Sequence, residues 1–151
     1  MSSDEGPGPE VSGRLGYLFK HAALRLQEIH AQVLGPFGID GRDLAVLLVI
    51  AGREPASQQQ VAQRLGVDRT TMVALLDGLE TRGLVSRRPH AQDRRRNVIE
   101  LTDHGTDTLH RATLASDDAE RTLLAPLSEP DRRRLREALQ SIVTHRPSES
   151  D

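Results

Sequence analysis

The sequence predicts a mainly α-helical fold with one small β-hairpin, and three observations predict it. Apolar residues recur at three- and four-residue steps in successive stretches, the period of helices with one buried face. Ser, Asp and Thr stand where those stretches begin, as N-caps do. Two short β-like runs flank a polar loop near residue 90. At 151 residues the chain is the size of one domain. Its expected organisation is a disordered tail over residues 1–12, a single domain over 13–146 and a second tail over 147–151.

The first helix is expected over 14–34, where Leu15, Leu18, Ala22, Leu26, Ile29 and Val33 form a heptad-like seam. After the break GPFGIDG, the run LAVLLVI places a second helix over 41–51, apolar on all sides and therefore expected to be deeply buried. Ser57 and Gln60 have the spacing of a capping box, which opens a third helix over 58–65. Gly66-Val67 is a tight turn, and Asp68 caps a fourth helix through Arg82 with Met72, Leu75, Leu76 and Leu79 on one face. Gly83, free to adopt left-handed backbone, ends it. Two helices joined by a short glycine turn make a helix-turn-helix. The runs 84–88 and 97–101 then form a hairpin with HAQDRRRN at its tip, which completes a winged helix-turn-helix. Thr102 caps a long helix over 103–124, ended by Pro126, and Ser128-Glu129-Pro130 opens a last one striped by Leu135, Ala138, Leu139, Ile142 and Val143. The terminal stripes predict that the helices over 14–34 and 103–146 pack together and against a second subunit, leaving 41–101 as a separate lobe.

Charge narrows the function. Residues 53–96 hold nine arginines and five acidic residues, a net +4, while the remainder carries −6 of the overall −2. A basic lobe between acidic flanks is the footprint of a polyanion partner. Arg94, Arg95 and Arg96 repel one another, and a phosphate backbone on one side with Asp93 on the other relieves that repulsion. A guanidinium on a loop tip fits a narrow minor groove, and Arg87 and Arg88 at the end of the first strand are placed to meet phosphates. At the start of the fourth helix, Arg69, Thr70 and Thr71 are the candidates for base and phosphate contact. The competing reading is an all-helical protein-interaction scaffold whose arginine loop is merely solvated.

Other chemistries are poorly served. The chain has no cysteine, which removes disulfides, thiolate nucleophiles and every Cys-containing zinc pattern. Its six histidines form neither HExxH nor an i,i+4 pair, so no metal site is expected. His104 and His110 read as solvated helix residues, and Arg132 to Arg134 as the outward face of the last helix. No nucleophile motif, paired acid and base, or glycine-rich phosphate loop is present, so no enzyme activity and no cofactor are expected. Without a signal peptide or a run of ~20 apolar residues, the expectation is a cytoplasmic protein without a membrane partner.

The stretch DRRRNVIELTDHG resembles the wing signature of the MarR family of transcriptional regulators, through Asp93, Arg95, Leu101, Thr102 and Gly105. QQQVAQRLGVDRTTMVALLDGLETRGLVSRR resembles the family's helix-turn-helix, with the Leu65-Gly66-Val67 turn and the exit from Leu79-Glu80 to Gly83-Leu84-Val85. Together they span roughly 58–105. The resemblance implies a homodimeric repressor or activator on a palindromic DNA operator, released by a small phenolic or anionic ligand. It implies Arg95 in the minor groove, Asp93 bracing the wing, and the helix from Arg69 to Arg82 in the major groove. It also implies an effector pocket near Tyr17, His21 and Arg25, where the first, second and fifth helices meet. Oxidation sensing, the family's other switch, is unavailable without cysteine. One departure stands out: positions near the middle of the recognition helix, often basic or polar in the family, are Ala74 and Gly78 here.

Overall fold

The computed structural model describes residues 6–52, 56–89, 91–92 and 97–147. A helical turn α1, Pro9–Ser12, lies within the segment expected to be a tail. Helix α2, Leu15–Leu34, runs through a 3-10 turn at Gly35–Phe37 into α3, Gly41–Ile50. Then come β1, Ala56–Ser57, α4, Gln58–Leu65, and α5, Arg69–Thr81. Strands β2, Val85–Pro89, and β3, Asn97–Leu101, precede α6, Asp103–Leu123, and α7, Glu129–Thr144. No helix among the described residues is long and apolar enough to cross a membrane.

The caps fall where local chemistry puts them. Ser57 Oγ accepts from Gln60 N at 3.2 Å while Gln60 Oε1 accepts from Ser57 N at 2.9 Å, the reciprocal box. Asp68, Thr102 and Ser128 each accept from the backbone N–H three residues on. A second box, Asp40 with Asp43, opens α3 and went unread in the sequence. At the end of α5, Gly83 adopts φ 73°, Leu84 N donates to Leu79 O and Gly83 N to Glu80 O, a Schellman ending.

The hairpin is part of a three-stranded antiparallel sheet in the order β1-β3-β2. Ala56 and Ser57 pair with Ile99 and Val98, adding a strand the sequence did not predict. Two residues carry no periodicity to detect, and their partner lies some forty positions away.

Leu34, Val46, Leu47, Val61, Met72, Leu76 and Leu79 are fully buried and form the centre of the core with Leu84 and Ile99. Leu48 corrects the expectation that α3 is buried all round, since it is 49% exposed. The terminal stripes are also open within one chain: Leu15 is 68% exposed, Val143 is 82% exposed, and α7 contains no buried residue. Arg132 departs from the outward face assigned to it. Its Nε donates to the carbonyls of Leu124 and Leu127, closing the α6–α7 elbow, while Arg133 and Arg134 remain exposed.

Candidate nucleic-acid interface

Helices α4 and α5 meet through Gly66, whose φ of 63° is the left-handed region that favours glycine. Val67 N donates to Ala62 O and locks the turn. Val61, Met72, Leu76 and Leu79 bury the inner faces of both helices, so the opposite face of α5 turns outward. Arg69, Thr70 and Ala74 are exposed there. Thr71 is half-buried, and both its N–H and its hydroxyl donate to the Asp68 carboxylate, at 2.6 Å and 3.1 Å. Those bonds, the hydroxyl's first, hold the Asp68 carboxyl below the usual carboxylate range. Thr71 thus secures the start of α5, leaving Arg69 and Thr70 as the open groups of its first turn. A cavity of about 620 Å³, lined by Ser57, Gln58, Gln59, Gln63, Arg69 and Asn97 among others, separates that turn from the base of the wing.

The two strand arginines point to opposite faces, as the two-residue period of a strand requires. Arg87 turns onto α5, with Nη2 2.5 Å from Asp77 Oδ1 and Nε 3.7 Å from Glu80 Oε2, the latter too long for a hydrogen bond. Arg88 pairs across the hairpin with Glu100 and is largely exposed. Both guanidinium groups therefore already hold carboxylates within the chain. Asp93, Arg94, Arg95 and Arg96, expected at the wing tip, lie outside the described residues.

The wing is fastened to α6 by a tight joint. Thr102 N donates to Leu84 O at 3.1 Å, Thr102 Oγ1 donates to Gly83 O, and Gly105 N donates to Thr102 Oγ1 at 2.9 Å. A Cβ on Gly105 would stand 1.9 Å from Leu84 O, so only glycine fits.

A family model described as MarR family matches residues 37–96. The transcriptional repressor CouR, solved bound to a 23-mer DNA duplex, has the same fold at TM-score 0.84 and 34% identity, covering 89% of this chain and 96% of CouR. The chain belongs to the MarR family. A MarR-family regulator from Rhodococcus sp. RHA1 gives TM-score 0.82 at 28% identity over 91% of this chain and 97% of its own. Among curated proteins, the transcriptional regulator PecS of Dickeya dadantii is 29% identical over 117 residues, 76% of this chain and 70% of PecS. CouR from Rhodococcus jostii RHA1 has also been solved with p-coumaroyl-CoA, and that form gives TM-score 0.78 at 26% identity, covering 95% of this chain and all of that one.

Membership in the MarR family gives the Thr102-to-Gly105 signature a physical meaning: it is the joint between wing and α6. On α2, Tyr17 and His21 stack with ring centroids 4.1 Å apart, and Arg25 follows one turn later on the same side. Tyr17 is half-buried, while His21 and Arg25 are exposed. A second α2 histidine, His30, missed in the sequence, is half-buried and bonds Ser116 Oγ on α6 at 3.0 Å. Its signal was its position on the inner face of the helix, one residue beyond Ile29. His104 and His110 are exposed, and no cluster of three or more His, Asp or Glu side chains is arranged to hold a metal among the described residues.

Proposed function

We propose that this chain is a cytoplasmic, sequence-specific DNA-binding repressor that acts as a homodimer on a pseudo-palindromic operator and is released by a small anionic or phenolic effector. The observation that carries this reading is the exposed first turn of α5, capped by Asp68 and held rigidly to the wing through Arg87 and the Thr102 joint. Its exposed Arg69 and Thr70 supply a charged fork and a hydroxyl at a helix N-terminus, where phosphate and base edges are met. With Ala74 in mid-helix and Gly78 in the last turn of α5, direct base readout is sparse and groove shape, read by the wing arginines Arg94, Arg95 and Arg96, carries more of the recognition. Arg88, the more exposed strand arginine, exchanges Glu100 for a phosphate, whereas Arg87 acts from within, bracing the wing.

The exposed apolar residues of α2 and α7, Leu15, Leu18, Ile142 and Val143 among them, are what a two-fold partner covers. Such a dimer spaces its recognition helices for half-sites ~10 bp apart. The CouR complex with p-coumaroyl-CoA supports an effector of related chemistry here. Tyr17, His21 and Arg25 offer it a stacking ring pair and a cation.

Selection of duplexes from a random pool at low salt tests the reading. An enriched palindrome is expected, with affinity falling steeply as salt rises because condensed counterions are released. Arg95→Ala should weaken binding and flatten the dependence of log K on log salt by about 0.9 per lost phosphate contact, with the dimer intact. Failure of the wild-type chain to retain any duplex returns the scaffold reading.

A further inference from the structure

Arg82, immediately after the recognition helix, was not among the residues read from the sequence as functional. Its guanidinium joins three separate elements. Nε donates to Gly78 O in the last turn of α5 at 3.0 Å. Nη1 donates to Gly38 O, at the end of the 3-10 turn between α2 and α3, and also reaches Asp43 Oδ2 at the start of α3, at 3.2 Å. Asp43 is a buried carboxylate, its side chain 9% exposed against 34% for Arg82, and the same Oδ2 accepts from Asp40 N at 3.1 Å in the α3 capping box. The network thus runs from the corner between α2 and α3 to the end of α5 and bridges 39 positions of sequence.

Gly78 belongs to this arrangement. A Cβ there would stand 3.3 Å from Arg82 Nη2, tighter than an ordinary contact, so any side chain presses on the guanidinium. A glycine that weakens the last turn of α5 makes room for Arg82 to lie back along the helix.

We infer that Arg82, seated on Gly78 and anchored by Asp43, is a positioning residue for DNA recognition. It holds the recognition helix at a fixed angle to the α2–α3 corner, and hence to the helices proposed to form the dimer. The inference rests on α5 being the recognition helix. The Asp43 carboxylate is buried, so separating the pair leaves its charge uncompensated, which favours one geometry even where the pair adds little net stability. Two half-sites are read together only when both α5 helices keep their spacing, so loosening this strut costs specific affinity. Non-specific affinity follows from phosphate neutralisation and does not depend on that spacing.

The test compares Arg82→Gln and Asp43→Asn for binding to the selected operator and to a random duplex of equal length. Each variant should lose operator affinity by about tenfold, the double variant should lose no more than either single, as for coupled partners, and the salt slope should stay as in the wild type, while random-duplex affinity follows net charge alone, a little weaker for Arg82→Gln and a little stronger for Asp43→Asn. Asp43→Asn is the discriminating case. Removing a negative charge strengthens attraction to a polyanion by electrostatics alone, whereas loss of the strut weakens operator binding. Unchanged or stronger operator binding by Asp43→Asn overturns the inference, and so does a salt slope lowered by about 0.9 in Arg82→Gln, which marks a phosphate contact instead. Should Asp43→Asn fail to fold, Arg82→Lys keeps the charge but offers one nitrogen in place of two, and it is expected to weaken operator binding with the slope unchanged. Wild-type operator affinity in that variant also overturns the inference. If the wild-type chain binds no duplex, the regulator reading fails on its own, and amide exchange on the free protein then judges the strut. Faster exchange over residues 79–82 and 41–44 in Arg82→Gln supports it; unchanged exchange refutes it.

Discussion

Substituting alanine for Gly105 probes the joint between wing and α6. The added Cβ would meet Leu84 O at 1.9 Å, Leu84 C at 2.9 Å and Leu84 Cα at 3.2 Å. These are backbone atoms of the residue just before β2, so no side-chain rotation relieves the clash. Leu84 O also accepts from Thr102 N at 3.1 Å, and Gly105 N caps onto Thr102 Oγ1, so parting the two segments strains both bonds. Overpacking costs about 1–3 kcal/mol, and one weakened hydrogen bond adds about 1 kcal/mol. The expected destabilisation is therefore about 2–4 kcal/mol, a large share of the ~5–15 kcal/mol that holds a domain folded. In a domain of this size each kcal/mol lowers Tm by roughly 2–4 °C, so scanning calorimetry at fixed protein concentration should show a fall of about 4–16 °C. Gly13→Ala is the control. Gly13 has φ −91° and ψ −5°, which alanine adopts freely, and only an ordinary 3.7 Å contact, so that variant should be neutral or gain about 0.4–1 kcal/mol. A melting temperature for Gly105→Ala within about 2 °C of the wild type, below the shift of a single kcal/mol, refutes the reasoning.

The Asp68 cap makes the start of α5 sensitive to acid. Because the folded carboxyl titrates below its unfolded value, its contribution is present above about pH 3.9, the unfolded value, and is lost as pH falls through the depressed folded one. Amide shifts of Thr71 followed through that range should report the loss, and Asp68→Asn should abolish the transition; a transition that survives it belongs to another group. At the proposed subunit contact, Ile142→Asp with Val143→Asp places two charges where 63% and 82% exposed apolar side chains stand in the single chain. Light scattering should then report a monomer with its helicity retained, and an unchanged dimer mass moves the contact elsewhere.

The sequence alone determined whatever is decided within about four residues. The Ser57, Asp68, Thr102 and Ser128 caps, the left-handed exit at Gly83 and the helix periods all act between near neighbours, so residue order suffices to read them. The winged helix-turn-helix was legible for that reason, together with the exposed Arg69 and Thr70. Only the tertiary structure decided what depends on partners far along the chain. β1 exists because β3 lies beside it, and Arg132 turns inward because the α6–α7 elbow presents the carbonyls of Leu124 and Leu127 to it. Leu48 stays exposed because one side of α3 meets no neighbour, although a run apolar on all sides made the whole helix look buried. Arginine in a sequence states a charge without stating its counter-charge. Arg87 and Arg88 read as phosphate ligands and Arg82 as nothing in particular, until folding brought Asp77, Glu100 and Asp43 within reach of them. Burial and pairing belong to the three-dimensional neighbourhood, which local order does not encode.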